Sequence, residues 1–512
     1  MLQAPPDHIT IHSLPDEVLC DIFREVMTRY GAGPRWCRVL WVCRRWSTVG
    51  RSAALLWRYI AIIGMPNNSF ISASLKYSKN AYLVIHMLRA VHFSQTLSLI
   101  SAHINRIRGL IITNTADTEG GSLAAFLNNR FPSLEIFLEK FKHPRYPLWI
   151  WRPDTPCYPH LQSLTLAGQI SIEVAPTAVF PALQTLILGP NENPSFTFPS
   201  LVQFLSRHLH IKNLVLNQYK LALESESFTV LTFPPTILRF ALSYYADYTK
   251  SILSSFTHIP AQVSLFITRW SDKFQMENPM HCSYSMAPML PHPLQRHLQM
   301  LSKVSSLEIT GFPSYYTLNG RIHPDNIAPF IKIANHLRPP VIRDAPLQWL
   351  ANAVPVFSDA PITEVRLSGN IVPACPMEQW MTFLDAFPRL EHVAVEKVAV
   401  HGDDTRTGLL EALLGPNPDS GMRCPRLRRL TLKCRDRANH DEEPFTNLLS
   451  RVLEMRATQN AKVDELVLLF EHEEQEMEVG GEDRQVLEVE RTTWKSFVND
   501  VRMDFVSQSS YL

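Results

Sequence analysis

Leu14-Pro15-Asp16-Glu17-Val18-Leu19, Ile22-Phe23, Val39-Leu40-Trp41-Val42-Cys43-Arg44-Arg45-Trp46 and Leu55-Leu56-Trp57-Arg58-Tyr59-Ile60 order the first sixty residues. Pro15 suits a first helical turn, where its missing N–H is not needed. Asp16 and Glu17 complement the dipole of a helix starting there. Val18, Leu19, Ile22, Phe23, Val26 and Met27 then recur at helical spacing. Gly31-Ala32-Gly33-Pro34 reads as a turn. A second helix carries Val39, Leu40, Val42, Cys43, Trp46 and Val49, with Gly50 as its expected stop. A short third helix runs from Ala53 to Ile60. So short a module has more apolar faces than it can bury alone, and residual patches of that kind take a docked partner. Periodicity by itself fits an ordinary helical cap on a larger domain equally well.

The order of these residues resembles the F-box, the module that joins a substrate-recruiting protein to a ubiquitin ligase. The resemblance implies binding to a Skp-family adaptor through Leu14, Pro15, Val18, Leu19, Ile22, Phe23, Leu40, Val42, Cys43, Trp46, Leu56 and Trp57, either by contact or by the packing behind it. Trp36-Cys37-Arg38 departs from the family, which more often shows a leucine-rich stretch there.

Downstream, short segments repeat with apolar residues at positions one, four and six. Leu161–Leu166, Leu183–Leu188, Ile211–Leu216, Val304–Ile309, Ile362–Leu367, Leu390–Val395, Leu427–Leu432 and Val463–Leu468 are the clearest. Weaker copies lie at Ile85, Ile107–Ile112, Leu134–Phe137, Ile237–Leu242 and Val263–Ile267. Steps of 25, 27, 27, 22, 28 and 26 residues separate Ile85, Leu110, Phe137, Leu164, Leu186, Leu214 and Phe240. A period in the twenties marks leucine-rich repeats. The late steps from Val393 to Leu430 and on to Leu466 are 37 and 36 residues, which calls for larger helices or loops. Helical patterns at 122–130, 200–208, 344–353, 376–387 and 443–457 fill the gaps, and alternation of strand and helix argues for parallel strands.

The array is irregular. An asparagine in the expected place follows only two repeats, as Asn191 and Asn370. Between Arg269 and Met300 the pattern breaks into a stretch with Met276, Met280, Met286, Met289 and Met300 among four prolines. It reads as an insertion, either a plain surface excursion or a soft methionine-lined contact. Arg423, Arg426, Arg428, Arg429, Lys433, Arg435 and Arg437 crowd one late repeat, and an acidic run follows from Glu471 to Asp483. These are solvated faces, a groove for an acidic segment, or partners of each other. Arg491 to Val506 carries Trp494, Phe497, Val498, Val501 and Phe505 at helical spacing, which predicts a C-terminal helix capping the array.

Composition excludes several classes. A formal net charge of +1 over 512 residues gives no global field for nucleic acid or an anionic membrane. No apolar run is long enough to span a bilayer, and the N-terminus lacks a secretory pattern. The eight cysteines are scattered with no C-x-x-C pair and read as reduced thiols, implying a cytoplasmic or nuclear setting. No nucleophile elbow, P-loop, dinucleotide fingerprint or H-E-x-x-H occurs. His8 with His12, and His281 beside Cys282, lack the spacing of a metal site. No catalytic residue, metal or cofactor is expected.

With the F-box in front, the layout resembles the fungal F-box proteins with degenerate leucine-rich repeats. That implies an α/β solenoid: a three-helix F-box at 9–62 after a tail at 1–8, a junction helix at 63–79, and a repeat horseshoe with a parallel sheet at 80–470. An insertion at 269–300, an acidic loop at 471–490 and a cap at 491–512 complete it. The function implied is substrate recruitment to a Skp–cullin–F-box ubiquitin ligase, with the chemistry done by other subunits; a non-ligase scaffold is the alternative. Strand alternation turns Ser163, Thr165, Asn213, Glu308, Glu364, Arg366, His392, Glu396, Arg429, Thr431 and Lys433 away from the core, toward an unknown target protein.

Overall fold

The computed structural model describes residues 11–31, 33–91, 94–113, 122–140, 149–151, 158–168, 170–172, 180–190, 198–218, 232–269, 289–292, 294–312, 315–323, 330–336, 349–369, 375, 377–396, 404–416, 421–434, 443–472 and 491–507. The chain divides into two compact units, Met1–Thr229 and Val230–Leu512.

Helix α1, Asp16–Tyr30, opens the first unit behind an extended Pro15, and Leu19, Phe23 and Met27 form its buried stripe at four-residue steps. The expected second helix is two pieces. A 3-10 segment, Pro34–Trp41, is followed by helix α2, Arg44–Ser52. Cys43 stands extended between them, and its sulfur accepts the Trp46 N–H at 3.5 Å. The break lets Trp36 and Leu40 from one piece and Trp46 and Val49 from the other reach the same core. Gly50, expected to stop the helix, lies inside it. A Cβ at that position would overlap a terminal methyl of Leu40 and force that side chain to shift, so the glycine serves close approach rather than termination.

The third helix is also shorter than expected. A 3-10 turn spans Ala54–Trp57, and strand β1, Tyr59–Ile63, follows at once. Trp57, Ile60 and Ile62 have the one-four-six spacing of the later strands, and all three are buried. The first strand therefore starts inside the segment assigned to the helical module.

Strands β2 (Leu83–Leu88), β3 (Ile107–Thr113), β4 (Ile136–Lys140), β5 (Trp149–Trp151), β6 (Ser163–Ala167), β7 (Ile170–Ile172), β8 (Thr185–Leu188) and β9 (Asn213–Asn217) follow. The order β1-β2-β3-β4-β6-β8-β9 is parallel throughout, and β5 pairs separately with β7. The register aligns Ile60, Ile85, Leu110, Phe137, Leu164, Leu186 and Leu214 across the sheet, one buried row of middle apolar residues. Helices α3 (Asn68–Tyr77), α4 (Ser94–Ser101), α5 (Ser122–Leu127) and α6 (Phe198–Arg207) lie between strands.

A turn recurs before these strands. The Leu134 N–H donates to Phe131 O, Leu161 to Tyr158 and Leu183 to Phe180, each across a proline in second position. Proline presets the backbone for that place in a type I turn. The rings at the heads of these turns follow one another: Phe131 stacks on Tyr158 at 5.6 Å, Tyr158 lies tilted 6.2 Å from Phe180, and Phe180 lies tilted 6.3 Å from Phe204 of the later helix Phe198–Arg207.

The second unit has strands β10 (Arg239–Tyr244), β11 (Ser264–Arg269), β12 (Ser306–Phe312), β13 (Tyr315–Arg321), β14 (Ile331–His336), β15 (Glu364–Gly369), β16 (His392–Val395), β17 (Arg429–Cys434), β18 (Glu465–His472) and β19 (Asp500–Ser507). Here the order is β10-β11-β14-β13-β12-β15-β16-β17-β18-β19. It is parallel except at β13, which runs antiparallel to both neighbours, so the expectation of parallel strands fails there. Helices α7 (Ala246–Ser254), α8 (Leu294–His297), α9 (Trp349–Phe357), α10 (Met377–Ala386), α11 (Asp404–Leu414) and α12 (Glu443–Thr458) complete it. Met289 and Met300 are wholly buried, which rules them out as a soft outer contact. Met276, Met280 and Met286 lie outside the described residues, as do Asn191, Asn370 and Asp344.

The expected C-terminal capping helix is replaced by one helical turn at 491–494 and strand β19, parallel to β18. Val498, Val501 and Met503 repeat the one-four-six pattern, and the backbone pairing available along β18 decides between two periods that these few residues fit.

Candidate functional site

Two faces collect the residues predicted to bind. The first is the N-terminal helical region. Leu19, Phe23, Leu40, Trp46, Leu56 and Trp57 are core residues, packed with Trp36 and with Phe70 from α3. Phe23 meets Trp46 edge to face at 5.3 Å. Leu14, Ile22 and Cys43 are half-buried, while Pro15, Val18 and Val42 stand exposed. Arg45 of α2 donates to the Leu14 carbonyl and to Asp16 Oδ1 at 2.7 Å, which sets residues 42–45 beside the start of α1. The predicted set missed the most prominent residue: Trp41 is 80% exposed, beside Val42 at 61%, with Leu55 at 58% and Val18 at 40%. Helical periodicity hid it, because Trp41 ends a 3-10 segment in which three residues make a turn.

The second face is the polar side of the sheet in the second unit. Register brings Glu308, Glu364, Arg366, His392, Arg429, Thr431 and Lys433 onto one side of consecutive strands. Glu396, just past β16, joins them by pairing with Arg366 at 3.3 Å. Arg321 holds Glu308 at 2.6 Å. His392 stands between Glu364 Oε1, 3.2 Å from its Nδ1, and Thr431 Oγ1, 3.2 Å from its Nε2. Arg429 pairs with Glu465, which also meets Arg502 at 3.3 Å, and Arg502 reaches Asp500 at 3.0 Å. The His392 hydrogen bond holds the Glu364 carboxyl below its ordinary range, against burial and with help from Arg366. Burial raises Glu396 instead, opposed by Arg366.

Asn319, Arg321, Glu465, Asp500 and Arg502 were missed in this row. The first two come from the antiparallel strand, which no repeat period announces. The last two become legible once the one-four-six pattern is carried to Val498.

Ser163, Thr165 and Asn213 belong to the first unit. Their neighbours on the same side are largely apolar: register places Ile136 against Ser163, and Leu138 and Ile187 against Thr165. Asn213 Nδ2 donates to Thr185 Oγ1 at 3.2 Å.

The basic cluster around Arg423 is not one groove. Arg423 is buried, bound to Asp385 at 2.8 Å and to the carbonyls of Ala412 and Gly415. Arg456, wholly buried, donates to the carbonyls of Arg423 and Cys424 at 3.1 and 2.7 Å. Arg426, Arg428 and Arg429 are exposed, whereas Arg435, Arg437 and the acidic residues from 473 onward lie outside the described residues. His8, His281 and Cys282 lie outside them as well. Among the described residues no three His, Cys, Asp or Glu side chains come together as a metal would require. Burial pushes Cys37 up to about 11 and Cys375 and Cys424 up to about 12, so these thiols stay protonated.

Residues 11–63 match the F-box-like family model. F-box domains bind Skp-type adaptors, and the match points to substrate recognition in a Skp–cullin–F-box ubiquitin ligase. The match stops at Ile63, the last residue of β1. No curated protein matches the chain.

Proposed function

We propose that this chain is a substrate-recruiting subunit of a Skp–cullin–F-box ubiquitin ligase. Its N-terminal helical region docks on a Skp-type adaptor, and the repeat-built strands behind it hold a target protein. The observation that carries the reading is the F-box-like match over 11–63 on a module whose core is filled while Val18, Trp41 and Val42 remain uncovered. The strands form a leucine-rich-repeat solenoid of fungal type, supported by the one-four-six pattern and by parallel pairing in chain order over much of the sheet, as from β15 to β19. The polar row from Arg321 to Arg502 offers the target alternating charges, an arrangement that selects partners more than it tightens them. The chain performs no catalysis; it raises the effective concentration of the target near the ubiquitin-charged enzyme. It works in the cytoplasm or nucleus, without nucleic acid, membrane, metal or cofactor.

Co-purification with the adaptor tests this. The wild-type chain retains a Skp-type adaptor, and Val18→Glu with Val42→Glu loses it while the far-ultraviolet circular dichroism is unchanged. A folded wild-type chain that retains no adaptor at micromolar concentration overturns the proposal.

A further inference from the structure

Resting on that reading, we infer that Trp41 is the anchor of the adaptor contact, entering an apolar pocket rimmed by carboxylates that pair with Arg35, Arg38 and Arg44. Trp41 is the most exposed large apolar side chain among the described residues. The fold has no use for it there, because Trp36, Leu40, Trp46 and Trp57 already close the core beneath. Tryptophan carries large, rigid apolar area and is enriched where interfaces concentrate their affinity. Val42, next in the chain, is exposed as well, and the bond from Arg45 to the Leu14 carbonyl ties the start of α2 to the residue just before Pro15.

The charges around it specify the rim. Arg44 and Arg45 open helix α2, where positive charge opposes the helix dipole, and no acidic residue stands in that turn. Asp16 compensates Arg45 at 2.7 Å. Arg35, Arg38 and Arg44 are exposed, and no ionic partner for them occurs among the described residues. A partner's carboxylates supply what the fold withholds. Nucleic acid also pairs with arginine and stacks on tryptophan, but along neighbouring α1 Asp16, Glu17, Asp21 and Glu25 outnumber Arg24 and Arg29, which pair with Asp21 and Glu25, and this net negative charge disfavours a phosphate backbone.

The test measures Kd between the full chain and a Skp-type adaptor at about 50 and about 500 mM salt, where screening lengths differ severalfold. Trp41→Ala weakens binding by about tenfold or more, and Trp41→Phe restores part of the loss. Arg38→Glu with Arg44→Glu weakens it by about tenfold at low salt and by less than about threefold at high salt. Thermal midpoints stay those of the wild type, since all three side chains lie outside the core. The inference is overturned if wild type binds and Trp41→Ala binds within about twofold of it, if charge reversal has no salt-dependent effect, or if Trp41 instead governs retention of single-stranded RNA. A wild-type chain that binds no adaptor sinks the ligase reading and this inference with it.

Discussion

Trp57 joins two parts of the first unit: its indole N–H donates to the Gly50 carbonyl at 2.7 Å, and its side chain occupies the first apolar position of the one-four-six pattern that continues through β1. Trp36 meets it edge to face at 4.9 Å and Tyr77 of α3 at 5.0 Å.

Replacing Trp57 therefore damages the helical module and the first strand together. Trp57→Leu removes a buried hydrogen bond and two ring contacts, and lowers stability by about 3–5 kcal/mol. Urea unfolding followed by fluorescence and by circular dichroism should show a lower midpoint. A midpoint equal to that of wild type would remove Trp57 from the core.

Gly50→Ala adds one methyl where Leu40 already sits. Helix propensity favours the alanine by about 1 kcal/mol, but overpacking costs about 1–3 kcal/mol, so the overlap wins and the variant is destabilised. Gly50→Ala with Leu40→Ala relieves the overlap and recovers part of the loss beyond that of Leu40→Ala alone, a coupling that a double-mutant cycle reads out directly.

Arg456→Met keeps much of the volume and removes the donors to Arg423 O and Cys424 O. Leaving those buried carbonyls short of a partner lowers stability by about 2–4 kcal/mol. Hydrogen exchange should locate the loosening around 421–427, the turn before β17, with the strands of the first unit unchanged.

His208 gives a pH dependence with a fixed sign. Its Nε2 accepts the Phe180 N–H at 3.0 Å, its Nδ1 lies 2.7 Å from Phe204 O, and burial lowers its pKa from the ordinary 6.5. Above 6.5 neither state binds the proton. Below it the unfolded chain takes up a proton that the native ring refuses, so stability falls with pH until the lowered native value is reached. His208→Gln preserves the acceptor and removes the titration. Its thermal midpoint should fall less than that of wild type between pH 7 and pH 5, and an equal fall in both would assign the effect to other groups.

Glu364 titrates in the same sense, in a more acidic window. Its carboxyl is held below the ordinary carboxylate range, chiefly by the His392 hydrogen bond. Its contribution is present above the unfolded value and disappears as pH falls through the native one. Glu364→Gln should flatten the acid limb of the stability profile near pH 4, monitored by unfolding at constant ionic strength.

Strands such as β6, β8 and β9 were legible in the sequence because each contributes a row to the core of the first unit: Leu164, Leu186 and Leu214 were placed by spacing alone and pair in that register. Less visible were the devices that join strands. The turn built on Phe131-Pro132, Tyr158-Pro159 and Phe180-Pro181 recurs in the sequence, but its meaning lies in a backbone bond and a ring stack. The antiparallel β13 has no signature of its own, since it fills its place by pairing with β12 and β14. The helix expected near Val498 shows how five apolar residues fit two periods until a neighbouring strand chooses one. Exposure was the least legible property: the same residue types make the core at Trp46 and the outward face at Trp41, and a one-residue cap at Cys43 separates them.

Only Arg58 intervenes between Trp57 and the first strand. A clamp with no slack at its wrist cannot swivel, so whatever docks at 41–44 acquires a fixed bearing on the sheet that begins at Tyr59. Under the proposed ligase role, a target resting on the strands of the first unit would be presented to its modifying enzyme at one angle, and the lysines within reach would be chosen by geometry before any chemistry discriminated among them.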